Sequence, residues 1–194
     1  SEIDYNPTSG SREVTRYNSN KNIISINQYN KESILIYSKE FDDSRFYDEM
    51  YYDLSIKKRK TYRYNNLDKI LSLVESDSKD RVIFSQYYNE DRSYTITRFN
   101  PRTTITNITK YNRQGKETEK TTRNINNTVI FRRYYNSNRS GYKMNYNPNT
   151  GLREETEFNI KGQTIVFSKT NKNGIVTFEQ RYNDDRSYSQ VKFN

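Results

Sequence analysis

The sequence predicts an all-β chain, an antiparallel meander of roughly seventeen short strands in a single-layer or curled twisted sheet. Three observations carry that expectation. Sliding the 194 residues against themselves by 47 aligns them end to end without a gap, so the chain consists of four repeats and a short closing segment. Inside each repeat, an aromatic residue followed by Asn or Asp recurs every 11 or 12 residues. Between those steps about seven residues alternate in character, as Val176 and Phe178 do with Thr177 and Glu179, which is the period of a strand.

The first repeat, residues 1–47, has its steps at Tyr5-Asn6, Tyr17-Asn18, Tyr29-Asn30 and Phe41-Asp42. Asn and Asp open turns because their side chains bond the backbone just ahead, so each step ends a strand. Its first turn, "NPTSG", puts Pro7 where a fixed φ is wanted and Gly10 where φ must be positive. The second repeat, 48–94, steps at Tyr52, Tyr64, Ser76 and Tyr88. It contains one stretch with helical apolar spacing, "LDKILSLVESD" at 67–77, which the repeat register assigns to a strand instead. The third, 95–141, steps at Phe99, Tyr111, Arg123 and Tyr135, with Pro101 and Gly115 in the same phases as other Pro and Gly residues. The fourth, 142–188, steps at Tyr146, Phe158, Thr170 and Tyr182, and a closing strand is expected at 189–194. The whole is read as one repetitive domain.

Repeats of 40–50 residues with four strands also mark propeller blades, so a four-bladed propeller is the alternative. Blades stack face to face and need apolar side chains on both surfaces. Strands such as "ETEKTTR" at 117–123 have almost none, which favours the open sheet.

Composition excludes much chemistry. Ala, Cys, His and Trp are absent, so there is no disulfide framework, no thiol nucleophile and no imidazole base or metal ligand. No apolar run spans a membrane, no Gly-rich phosphate loop occurs, and no cofactor is expected. The polar opening "SEIDYNPTSG" is not a signal peptide, and a start without Met fits a processed product, a slight pointer to a secreted or cell-surface protein. The net charge of +9 is spread along the chain, which suits a solvated surface or affinity for polyanions. Acidic residues mixed into the same strands argue against nucleic acid.

Candidate binding residues come from the repeat. The steps at one sheet edge, Tyr17, Phe41, Tyr64, Tyr88, Tyr111, Tyr135, Phe158 and Tyr182, are all aromatic, whereas the other edge holds the exceptions Ser76, Arg123 and Thr170. Such a row either replaces a missing core or offers a stacking platform, with Tyr88, Tyr135 and Tyr182 its selected members. One arginine recurs after the same turn, as Arg45, Arg92, Arg139 and Arg186. Four strands separate successive members, roughly 19 Å, a spacing for an extended polymer; the plainer reading lays each Arg stem over a neighbouring Tyr. The acidic turns "FDDS", "YNED" and "YNDD" suggest calcium, but the third copy, "YNSN", has no carboxylate, so turn chemistry explains them.

The segment "YNPNTGLREETEFNIKGQTI" at 146–165 resembles the Tyr/Asn-rich tandem repeats of wall-less plant-associated bacteria and, more loosely, the YD repeats of large secreted toxin shells. "DRVIFSQYYNEDRSY" at 80–94 is similar to the extended β-sheet domain attached to bacterial glycosyltransferases. That resemblance implies a sheet that recognises an acceptor or mediates assembly while another domain does the chemistry, and it carries over no catalytic residue. The expected function is therefore a non-enzymatic binding or scaffolding protein that presents Tyr and Arg to an extended polypeptide or an anionic glycan. The alternatives are an assembly module that self-associates through edge strands, and an accessory acceptor-binding domain.

Overall fold

A computed structural model describes residues 1–193; Asn194, the last residue of the expected closing strand, lies outside the described residues. The chain divides into two units, Ser1–Glu90 and Asp91–Asn194. The first holds β1 (Glu2–Tyr5), β2 (Arg12–Tyr17), β3 (Ile23–Tyr29), β4 (Leu35–Phe41), β5 (Tyr47–Asp53), β6 (Lys58–Tyr64), β7 (Ile70–Ser76) and β8 (Val82–Tyr88). The second holds β9 (Tyr94–Asn100), β10 (Ile105–Tyr111), β11 (Glu117–Arg123), β12 (Val129–Tyr135), β13 (Gly141–Asn147), β14 (Leu152–Phe158), β15 (Thr164–Thr170), β16 (Val176–Tyr182) and β17 (Tyr188–Lys192). Seventeen strands and no helix are present among the described residues, and the stretch at 67–77 forms β7.

Inside each unit every strand pairs antiparallel with its chain neighbours and touches no others. The hydrogen bonding runs straight through the repeat boundaries. Phe41 of β4 stands opposite Tyr47 of β5, and Tyr135 of β12 opposite Gly141 of β13. Propeller blades would part at those boundaries and stack on one another, so the propeller is excluded and each unit is an open meander. With one layer there is no second surface to bury against. Tyr47 and Phe158, each 7% exposed, are the buried hydrophobic side chains.

The turns hold the ladder in register by local chemistry. In the β2–β3 turn the Asn18 amide donates to the Asn22 carbonyl, and the Lys21 amide returns to Asn18. The Asn18 side-chain oxygen accepts from the amides of Asn20 and Asn22. This is a tight turn followed by one left-handed residue, whose twist suits a hairpin. Gly115, Gly162 and Gly174 fill the left-handed place at φ 74°, 76° and 79°.

The opposite edge explains its non-aromatic steps. Arg12 stands opposite Tyr29 and lies over its ring at 4.7 Å. At equivalent places Arg59 faces Ser76 and Arg153 faces Thr170, while the third repeat exchanges the two strands' roles and sets Thr106 against Arg123. One long side chain per pair suffices to cover the site. Ser76 and Thr170 are accordingly only 4% and 3% exposed.

Candidate binding face

Register assigns each strand residue to one of two faces, because Cα partners share a side and neighbours along a strand alternate. In the first unit one face carries Tyr37, Lys39 and Phe41 from β4, Tyr47, Glu49 and Tyr51 from β5, and Tyr62 and Tyr64 from β6. The aromatic steps of that edge do meet, through a residue between them. Tyr47 sits 5.4 Å from Phe41 and is stacked on Tyr64 at 4.7 Å. In the second unit Tyr94 stacks on Tyr111 at 4.7 Å, and Tyr188 meets Tyr182 at 5.9 Å. Tyr47, Tyr94 and Tyr188 are the residues that the step pattern misses. The sequence does signal them, since each stands two places after the repeated Arg, within "RFY" or "RSY".

The expected unbroken row is interrupted every fourth strand. Ile70 stands opposite Tyr64 and Glu117 opposite Tyr111, each at a bulge, where another ring would be needed for continuity. At the third repeat Gly141 replaces the linking Tyr, and Tyr135 reaches Phe158 directly at 5.7 Å. A Cβ on Gly141 would come within 2.7 Å of the Phe158 ring and against the Tyr134 carbonyl oxygen.

Cations lie on these rings. The Lys39 ammonium is 3.8 Å from the Tyr47 centroid and 3.1 Å from Glu49, whose carboxylate also accepts from the Tyr51 hydroxyl at 3.1 Å. Arg139 and Arg133 lie over Tyr135 at 4.5 and 4.9 Å, and Arg133 also covers Phe158 at 5.4 Å. Desolvation first, and then the hydrogen bond to Asp68, pushes the Tyr47 phenol above its ordinary range. Desolvation followed by the Glu49 charge does the same to Tyr37, and desolvation followed by the Glu155 hydrogen bond to Tyr142.

The four repeated arginines occupy the left-handed turn position, at φ 65° for Arg45, 66° for Arg92, 72° for Arg139 and 67° for Arg186. All four are exposed. Arg139 follows the packing reading, lying on Tyr135 with its guanidinium donating to the Glu117 carbonyl at 3.3 Å. Arg186 shares a shallow groove of about 350 Å³ with Tyr182, Asn159 and Gln163, which brings two of the selected residues together. Arg45 borders a smaller groove, of about 100 Å³, beside Phe41 and Asp43. Tyr88 ends β8, on the first unit's aromatic face.

The faces of the second unit differ in charge. Glu119, Glu155, Glu157 and Glu179 fall on the side away from Tyr135, and Glu119 there binds Lys110 at 2.8 Å and Arg132 at 3.0 Å. Burial raises the Glu119 carboxyl, but Lys110, Arg132 and Thr121 outweigh it and hold the group below its usual range. On the Tyr135 side the strands contribute Arg98, Lys120, Arg133, Lys143, Lys169 and Lys192 against Glu154 and, at a bulge, Glu117. Among the described residues no cluster of acidic side chains is arranged to hold a metal ion, and no helix is long and apolar enough to cross a membrane. Compared with known protein families and curated proteins, the chain matches no family model and no curated sequence.

Proposed function

We propose that this chain is a non-enzymatic binding protein whose open sheet lays an extended anionic partner, a glycan, across its aromatic face. The observation that supports it is the pairing of two cations with one ring in the second unit, Arg133 and Arg139 on Tyr135, on a sheet face that carries no second layer of that unit. Rings offer flat apolar contact while guanidinium and ammonium groups offer charge, and a sheet places both at fixed intervals of about 4.8 Å. The long spacing of Arg92, Arg139 and Arg186 then serves one chain rather than one small molecule.

A screen of anionic and neutral glycans against acidic peptides, repeated at rising salt, tests the reading. Anionic glycans are expected to bind, with affinity fading as ionic strength increases. Replacing Arg92, Arg139 and Arg186 together by Ala weakens binding by about tenfold while the fold persists. Equal binding by the triple variant, or capture of acidic peptides alone, removes the glycan proposal.

A second reading rests on the end strands. Within its own unit, and among the described residues, β1 pairs with β2 alone and β17 with β16 alone, and they leave Ile3 64%, Tyr5 65% and Tyr188 58% exposed. Such edges invite pairing between molecules. A strict monomer by light scattering at high concentration excludes assembly by this route.

A further inference from the structure

Three cations stand side by side on the aromatic face of the second unit. Lys120 of β11 is the register partner of Arg133 in β12, and Arg133 is the partner of Lys143 in β13. Like charges directly opposite on adjacent strands are destabilising. No carboxylate pairs with them: Glu154 on the same face is taken by Lys169 at 3.1 Å, Glu117 stands apart at the bulge opposite Tyr111, and among the described residues none of the three cations has an ion pair within 4.0 Å.

The repeat supplies the comparison that gives this arrangement meaning. Two repeats earlier the same three places hold Ile26, Lys39 and Glu49, again as successive register partners. There the central cation is neutralised, with Lys39 bound to Glu49 at 3.1 Å. One repeat later the places hold Phe167, Gln180 and Gln190, with no charge at all. A role in packing would recur with the repeat. At Lys120, Arg133 and Lys143 the charge of the last residue is instead reversed relative to Glu49, and the apolar first residue has become a lysine.

We infer that Lys120, Arg133 and Lys143 form an anion site that takes a sulfate, phosphate or carboxylate group carried on a glycan chain. The inference rests on the glycan reading above for the chain, and on the register alone for the site. Arg133 is held by Tyr135 and Phe158, so its guanidinium is preorganised for two-pronged contact with an oxyanion. The two lysines flank it at about 4.8 Å on each side, near enough for flexible ammonium groups to converge on one anion above the arginine. A bound anion replaces the missing carboxylate and relieves the repulsion.

Three measurements on the full chain decide the matter. Titration with inorganic pyrophosphate, followed by NMR, is expected to shift the signals of Lys120, Arg133 and Lys143 ahead of other residues. Signals that stay still, or shifts spread evenly over all basic residues, overturn the site whatever the polymer results. Second, dextran sulfate and polygalacturonate distinguish ester from carboxylate groups, with uncharged dextran as control. If pyrophosphate binds at the trio and neither polymer does, the site stands and the glycan reading falls. Third, Lys143→Glu rebuilds the Lys39–Glu49 arrangement beside Arg133. It is expected to raise the melting temperature while lowering polymer affinity by about tenfold. Polymer binding unchanged in Lys143→Glu and in Lys120→Gln removes the trio from the glycan site, and a lowered melting temperature refutes the uncompensated repulsion.

Discussion

At the scale of single residues, the left-handed turn position reveals how tolerant and how costly this design is. Among the described residues eleven other than Gly adopt positive φ, including Lys21, Asp68, Asn127 and the β-branched Thr104 at 55°. An L-residue with a Cβ pays roughly 1–2 kcal/mol for that conformation, and Gly pays almost none. Gly10 and Gly151 occupy the places equivalent to Thr104 in other repeats, at φ 70° and 69°. Thr104→Gly is therefore expected to stabilise the protein by about 1 kcal/mol in urea denaturation. No gain would mean that the Thr104 side chain contributes contacts that offset the strain. These turns were legible in advance, because Asn and Asp act on backbone amides two to four residues away. The packing of Arg139 onto Tyr135 and the Glu117 carbonyl was one of two readings open to the sequence. Only distances across strands choose between them.

At the scale of the strand and its neighbours, Gly141 shows a repeat position changing hands. Tyr47, Tyr94 and Tyr188 fill the place in the other repeats, whereas at Gly141 the Phe158 ring leans across to Tyr135. Gly141→Ala would set a Cβ 2.7 Å from Phe158 and against a backbone carbonyl, in a site where the ring has no spare room. Overpacking of this kind costs about 1–3 kcal/mol, to be read as a lowered melting temperature. An unaltered melting temperature would show that Phe158 moves aside freely. The sequence announced the aromatic edge correctly but made it continuous. It is divided because bulges at Tyr64 and Tyr111 bring Ile70 and Glu117 into the gaps, and bulges leave little mark on composition.

At the scale of the whole molecule, stability comes from cross-strand pairs rather than a core, and the tyrosines make it sensitive to alkali. The phenols of Tyr37, Tyr47 and Tyr142 are raised above 10.0, chiefly by desolvation. A raised folded-state value means that the folded protein keeps the proton after the unfolded chain has lost it. Their stabilisation is therefore complete below about pH 10 and is lost as pH climbs above that value. Phenolate absorbance is expected to include a late stage, in which these three ionise together with unfolding. A single smooth titration of all nineteen, with the sheet intact, would contradict the burial described here.

By itself the sequence determined the number of strands, the place of each turn and the antiparallel order, since these follow from interactions within a dozen residues. The tertiary structure alone decided which side chains share a face. A shift of one residue moves every side chain to the other side of a sheet, and the bulges, which recur at Tyr17, Tyr64, Tyr111 and Phe158, introduce such shifts where only the strand pairing reveals them. Hence the ring contacts of Tyr47, and the alignment of Lys120, Arg133 and Lys143, appear only once the strands are paired.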